Sequence, residues 1–156
     1  MNTEKLQKDF LSKLLNYRQK NKVCYCFKDD DIGLTDGIAL YFMPKKQWLL
    51  NMENTEKHEP LANIKNLLEL ETNAVLAEQA PELLPSEGKS LLVHFFNGDV
   101  HVYVNQDLIK YFSTTAQYFI SGEKKPVFVR ENEKLVGIVL PVNRKKVGTD
   151  GSGKEL

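Results

Sequence analysis

KPVFVRENEKLVGIVLPV, residues Lys125 to Val142, is the stretch whose reading decides the fold. A Pro-led apolar run, the polar connection Glu131-Asn132-Glu133-Lys134 and a second apolar run with Pro141 near its end form the pattern of a β-hairpin. Strand side chains alternate between faces, so a register with Arg130 opposite Leu135 sets Val129 against Val136 and Val127 against Ile138. Val127, Val129, Val136, Ile138 and Leu140 then share one face, and that face is core. Nothing on it carries chemistry.

A second hairpin lies upstream, in LLVHFF-NG-DVHVYV, residues Leu91 to Val104. Asn97-Gly98 is a strong two-residue turn signal, because a type I′ turn needs positive φ at both central positions. That turn pairs Phe96 with Asp99, Phe95 with Val100, His94 with His101 and Val93 with Val102. Val93, Phe95, Val100, Val102 and Val104 fall on the core face; His94, Phe96, Asp99, His101 and Tyr103 fall on the other. Two imidazoles opposed across a strand pair, with Asp99 diagonal to them, make His94, His101 and Asp99 the candidate metal ligands of the chain, if a further group reaches in. A partly solvated face on which histidine is tolerated is the plainer reading. His58 lies in the loop before the second helix, and sequence does not place it near them.

The rest of the chain supplies helices and shorter strands. Leu6, Phe10, Leu11, Leu14, Leu15 and Tyr17 recur at helical spacing behind the candidate cap Thr3, which predicts an amphipathic helix over residues 4–20. VCYCFK, Val23 to Lys28, has strand composition, and Asp29-Asp30-Asp31 with Gly33 and Asp36-Gly37 reads as a turn region without the register of a calcium loop. Gly37 to Met43 and the QWLLNM run after Pro44-Lys45-Lys46 predict a hairpin, with Trp48 as a core or rim anchor. Pro60 and the apolar positions Leu61, Ile64, Leu67, Leu68, Val75 and Leu76 predict a second helix over residues 60–79, stopped by Pro81. Asn105 caps a short third helix through Leu108, Ile109 and Phe112, and Tyr118-Phe119-Ile120 is a strand leading to the final hairpin.

The order helix, strands, helix, hairpin, short helix, hairpin predicts an α+β fold: a single domain over residues 1–142 with a largely antiparallel sheet and two to three helices. Residues 143–156 read as a flexible, basic, glycine-rich tail. A chain of 156 residues with 42% hydrophobic and 27% charged composition can bury a real core as one globular unit.

Lys plus Arg equals Asp plus Glu, at 21 each, which removes the bulk electrostatic case for nucleic acid or anionic membrane as an obligatory partner. The N-terminus has no apolar signal region, and no run approaches the roughly 18 apolar residues of a membrane span. The expectation is a cytoplasmic protein without a membrane partner. Cys24 and Cys26 point the same way from a strand, so they are poorly placed to bridge each other and read as free thiols; a lone C-x-C falls short of a tetrahedral ligand set.

The tail contains Gly148, four residues, then Gly153-Lys154, but Glu155 follows and no helix remains to receive phosphates. No G-x-S-x-G elbow, H-E-x-x-H pair or dinucleotide fingerprint occurs, and no carboxylate pair stands at a spacing that nominates it for acid–base work. The sequence predicts no enzyme activity and no cofactor.

One stretch resembles a known family. VHVYVNQDLIKYFSTTAQYFISGEKKPVFVRENEKLVGIVLPVN, Val100 to Asn143, resembles the C-terminal end of a bacterial sliding-clamp (DNA polymerase processivity factor) domain. In that family a strand leads through Asn into a short helix, then a strand, then a Pro-Val strand, and a last strand closing on an apolar-Pro-apolar-basic signature. The corresponding pieces are Val102-Tyr103-Val104-Asn105, Leu108-Ile109, Pro126-Val127-Phe128-Val129 and Leu140-Pro141-Val142, under a third of the chain. Clamp chains carry three such domains and line their ring with basic helices, whereas this chain has room for one and its matching helix offers only Lys110.

The resemblance implies a clamp-like domain, of phage or other mobile-element origin, acting through protein contacts in DNA metabolism. On this expectation a non-enzymatic accessory protein makes its contacts through Phe96, His101 and Tyr103, or through Arg144, Lys145 and Lys146 in the tail. Its partner is a protein, with nucleic acid and homo-oligomerisation both open. The alternatives are a metal-dependent enzyme using His94, His101 and Asp99, and an inhibitor or regulator that occupies a partner protein's surface.

Overall fold

The computed structural model describes residues 1–16, 18, 22–50 and 64–143. Within them the chain is α+β, with three α-helices and every strand pair antiparallel.

Helix α1, Thr3–Leu15, is capped by Asn2 rather than by Thr3: the Asn2 side chain accepts the Lys5 N–H at 3.1 Å. It ends five residues before the predicted residue 20, because Asn16 turns extended. Only Leu6, Phe10 and Leu14 of its apolar positions are buried, while Leu11 and Leu15 are exposed, so the core stripe is narrower than the sequence pattern. Tyr17, placed on that stripe by the sequence, lies outside the described residues.

Strands β1 (Cys24–Lys28), β2 (Asp31–Thr35) and β3 (Ala39–Pro44) form a meander. β2 corrects the reading of this region as a turn. Asp29 and Asp30 turn, with Asp29 at φ 54°, and Asp36-Gly37 turn as expected, with Gly37 at φ 98°, but the five residues between, Asp31–Thr35, are a fully buried strand. Gly33 makes that strand possible, since Cys26, Leu40 and Phe42 pack where its side chain would be. After β3 the chain makes a 3-10 turn at Lys45–Gln47, and residues 48–50 belong to no strand, so β3 pairs with β2 instead of with a QWLLNM strand. Trp48 is half-buried at the rim of the core, as expected.

Helix α2 is Ile64–Leu70, followed by a 3-10 turn at Glu71–Asn73 and two short strands, β4 (Val75–Leu76) and β5 (Glu78–Gln79). The predicted helix to residue 79 is therefore corrected. Ala74 turns extended and Val75 pairs with Ile120, so the apolar positions 75 and 76 serve a sheet edge instead of a helix face. Pro60 and Leu61 lie outside the described residues. Then come β6 (Leu84–Pro85), β7 (Leu91–Asn97), β8 (Val100–Asn105), α3 (Gln106–Ile109), β9 (Gln117–Ile120), β10 (Val127–Glu131) and β11 (Lys134–Val139). Asn105 caps α3 by accepting the Asp107 N–H at 2.9 Å.

The larger sheet has seven strands in the order β1-β2-β3-β11-β10-β9-β4. The smaller one is centred on β7, with β8 along one edge and β5 and β6 in succession along the other. One face of the large sheet buries Tyr41, Val127, Val129 and Val139 against Phe10 of α1 and against Phe95 and Val102 of the small sheet. The opposite face buries Leu40, Phe42, Phe128, Leu135 and Ile138 against α2. A sheet covered on both sides needs continuous apolar strands, which is why β3 is buried along almost its whole length.

The β10–β11 hairpin stands at the centre of this arrangement. Its loop is two residues, Asn132 and Glu133, both at positive φ, instead of four. Arg130 does lie opposite Leu135, but a bulge at the next step sets Val129 against Gly137 and Val127 against Val139. The expected common face is therefore divided: Val127, Val129 and Val136 stay with the first cluster, Ile138 joins the second, and Leu140 is exposed. Arg130 closes the α2 side, donating from Nε and Nη2 to Glu71 Oε2 at 2.9 and 2.7 Å while its guanidinium lies over Phe119.

Candidate functional site

The face of the β7–β8 hairpin turned from the first core cluster carries the candidate site. Its register differs from the expectation by the position of the turn. Asn97 pairs with Val100, so the loop is Gly98-Asp99, with Gly98 at φ 58° as the first central residue. His94 then lies opposite Tyr103, and Phe96 opposite His101. The shift moves each partner by two residues, which preserves alternation: Val93, Phe95, Val102 and Val104 are buried in the core as predicted.

The two histidines are diagonal neighbours instead of a directly opposed pair, and their rings still meet. His94 Nε2 and His101 Nδ1 are 2.8 Å apart, a hydrogen bond in which one nitrogen donates and the other accepts. Tyr103 stacks on His94 with centroids 4.7 Å apart and planes at 19°. Phe96 stacks on His101 at 6.1 Å and 24°. All four side chains are half-buried, and Glu78 of β5 adds a carboxylate opposite Phe96 on the same face.

The expected metal set is not brought together as three groups. Asp99 sits exposed in the hairpin loop, and among the described residues no group of three or more His, Cys, Asp and Glu side chains could hold a metal ion. The candidate contact residues Phe96, His101 and Tyr103 do form one continuous patch, joined through His94. Arg144, Lys145 and Lys146 lie outside the described residues; the chain reaches them from Val142, whose N–H donates to the Tyr103 carbonyl at 2.8 Å.

Neither cysteine joins this patch. Cys26 is buried in the α2-side cluster, and burial pushes its thiol up to about 11, away from thiolate chemistry. Burial likewise pushes up the phenols of Tyr41, Tyr111 and Tyr118, the last to about 12. Tyr41 donates to the Leu108 carbonyl and Tyr111 to Asp9, both as structural bonds. Among the described residues no helix is long and apolar enough to cross a membrane.

Sequence reasoning missed the role of His94 as the ring linking the other three, because a one-place error in the turn hid its stack on Tyr103. The alternation of HFF against HVY carried the signal. Comparison with known proteins finds no matching family model, no matching curated protein and no matching solved structure.

Proposed function

We propose that the chain is a binding protein without catalytic activity, an accessory factor of DNA metabolism with a clamp-like domain, acting through protein contacts. The patch of Phe96, His101 and Tyr103 is its contact surface. The observation that carries the reading is this continuous, half-buried aromatic and imidazole face on a strand pair whose other side is sealed in core. Aromatic side chains offer large contact area at little entropic cost, which suits recognition more than turnover.

The clamp-like part is supported by element order. β8 passes through the cap Asn105 into a short helix, then into β9, then into β10 directly behind Pro126, and β11 ends just before Leu140-Pro141-Val142. This is the succession that the resemblance to sliding clamps implies.

Size-exclusion chromatography with light scattering, with and without duplex DNA at moderate salt, tests the reading. A ring-sized assembly of several copies that retains DNA supports it. A monomer indifferent to DNA removes the clamp-like part, and unchanged partner binding after F96A and Y103A removes the assigned surface.

A further inference from the structure

Beyond protein contacts, we infer that His94 and His101 form a two-imidazole binding site for a divalent transition metal, Cu²⁺ above all. Two nitrogens each about 2.0–2.1 Å from one ion stand about 2.9 Å apart at a right angle and about 3.3 Å apart at the tetrahedral angle. The nitrogens of His94 and His101 are already 2.8 Å apart. That spacing is the ordinary length of the hydrogen bond between the rings, and it already brings both nitrogens within reach of one ion. The order of divalent affinities favours Cu²⁺.

In the hydrogen-bonded pair the facing lone pairs share one proton. Histidine χ2 is soft, so modest ring rotation turns both lone pairs toward a common point beside the N···N line. The shared proton then moves to the far nitrogen of its own ring, leaving two neutral imidazoles with one N–H each. Tyr103 against His94 and Phe96 against His101 keep the two rings side by side, on strands instead of a loop. The ion's other positions go to water. Asp99 is no ligand here, which distinguishes this site from the three-residue set suggested by the sequence.

The test is titration of Cu²⁺ into the full chain, stripped of metal by chelator and dialysis, near neutral pH, followed by calorimetry and electron paramagnetic resonance. The expected result is one-to-one binding with two imidazole nitrogens coupled to the copper. H94Q and H101Q each weaken binding by about 10- to 100-fold, since either change breaks the chelate. D99N binds as the parent does. If a glutamine variant fails to fold, His94→Asn and His101→Asn replace it, and the nitrogen count of the unaltered chain stands independently. Fewer than two coupled nitrogens, parental affinity in a folded H94Q or H101Q variant, or a loss confined to H58Q would each overturn the site.

Discussion

The ring of Phe112 fills the space that a side chain on Gly137 would need: a Cβ built there would stand 2.3 Å from its Cζ. Gly137 lies at the bulge of β11, where it faces Val129, and Phe112 follows α3 and is buried beside Tyr41. The contact joins the short helix to the central hairpin. Gly137→Ala is expected to cost about 1–3 kcal/mol by overpacking. Urea unfolding measures it, and the double variant with Phe112→Leu should recover part of the loss; a G137A chain as stable as the parent would mean the ring yields freely.

Gln7 is 3% exposed on the otherwise apolar face of α1. Its amide donates to the carbonyls of Thr3 and Gln47, and its oxygen accepts the Leu49 N–H at 2.7 Å. One side chain thus satisfies the segment that leaves β3. Gln7→Ala leaves the Gln47 carbonyl and the Leu49 N–H without it, at a cost of about 1–3 kcal/mol. Hydrogen exchange at the Leu49 amide should accelerate along with the fall in stability, and an unchanged rate would show that the bond does not hold this segment.

These two residues also mark what the sequence can and cannot say. Gln7 sits at a core position of α1, where a hydrophobic-pattern reading sees only an interruption; its partners lie 40 and 42 positions away. Gly137 looks like a flaw in a strand, yet the bulge it sits in divides the face that simple alternation assigned to one side. The α+β class, the paired strands of both hairpins and the faces of β7 and β8 were legible, because alternation survives a two-residue shift in pairing. The 60–79 helix was not, because Leu67 and Leu68 suit a helix packed on the large sheet while Val75 and Leu76 suit strand β4 equally well. At the candidate site the patch residues could be read, while the contact between His94 and His101 required the actual loop.

Glu131 receives two groups from elsewhere in the chain. Oε1 accepts the ammonium of Met1, and Oε2 accepts the Ser113 N–H at 2.7 Å. The ion pair is part-buried. Glu131→Gln keeps the shape and an acceptor for Ser113 but leaves the ammonium without its counter-charge, so a loss of about 1–2 kcal/mol is expected for a part-buried pair. Glu131→Ala should cost more, since Ser113 then loses its acceptor as well. Thermal unfolding of the two variants side by side decides it, and equal losses would assign the whole effect to the ion pair.

Cys26 gives the fold an alkaline limit. Its thiol sits against Gly33 in the cluster under α2, and burial raises it from 9.0 to about 11. A raised acid binds its proton more tightly when folded, so its contribution is complete below pH 9.0 and is lost as pH rises through about 11. The buried phenols of Tyr41, Tyr111 and Tyr118 act with the same sign from pH 10.0 upward, overlapping the upper part of this window and extending beyond it. The denaturation midpoint should therefore be flat on the acid side of this window and fall across it, and Cys26→Ala should flatten the first part of that fall. Alkylation provides the second readout: Cys26 in the folded chain should resist a thiol reagent at neutral pH and react once the chain is unfolded. Rapid labelling of Cys26 in the native protein would show that the α2 side opens easily and that the thiol is not held out of water.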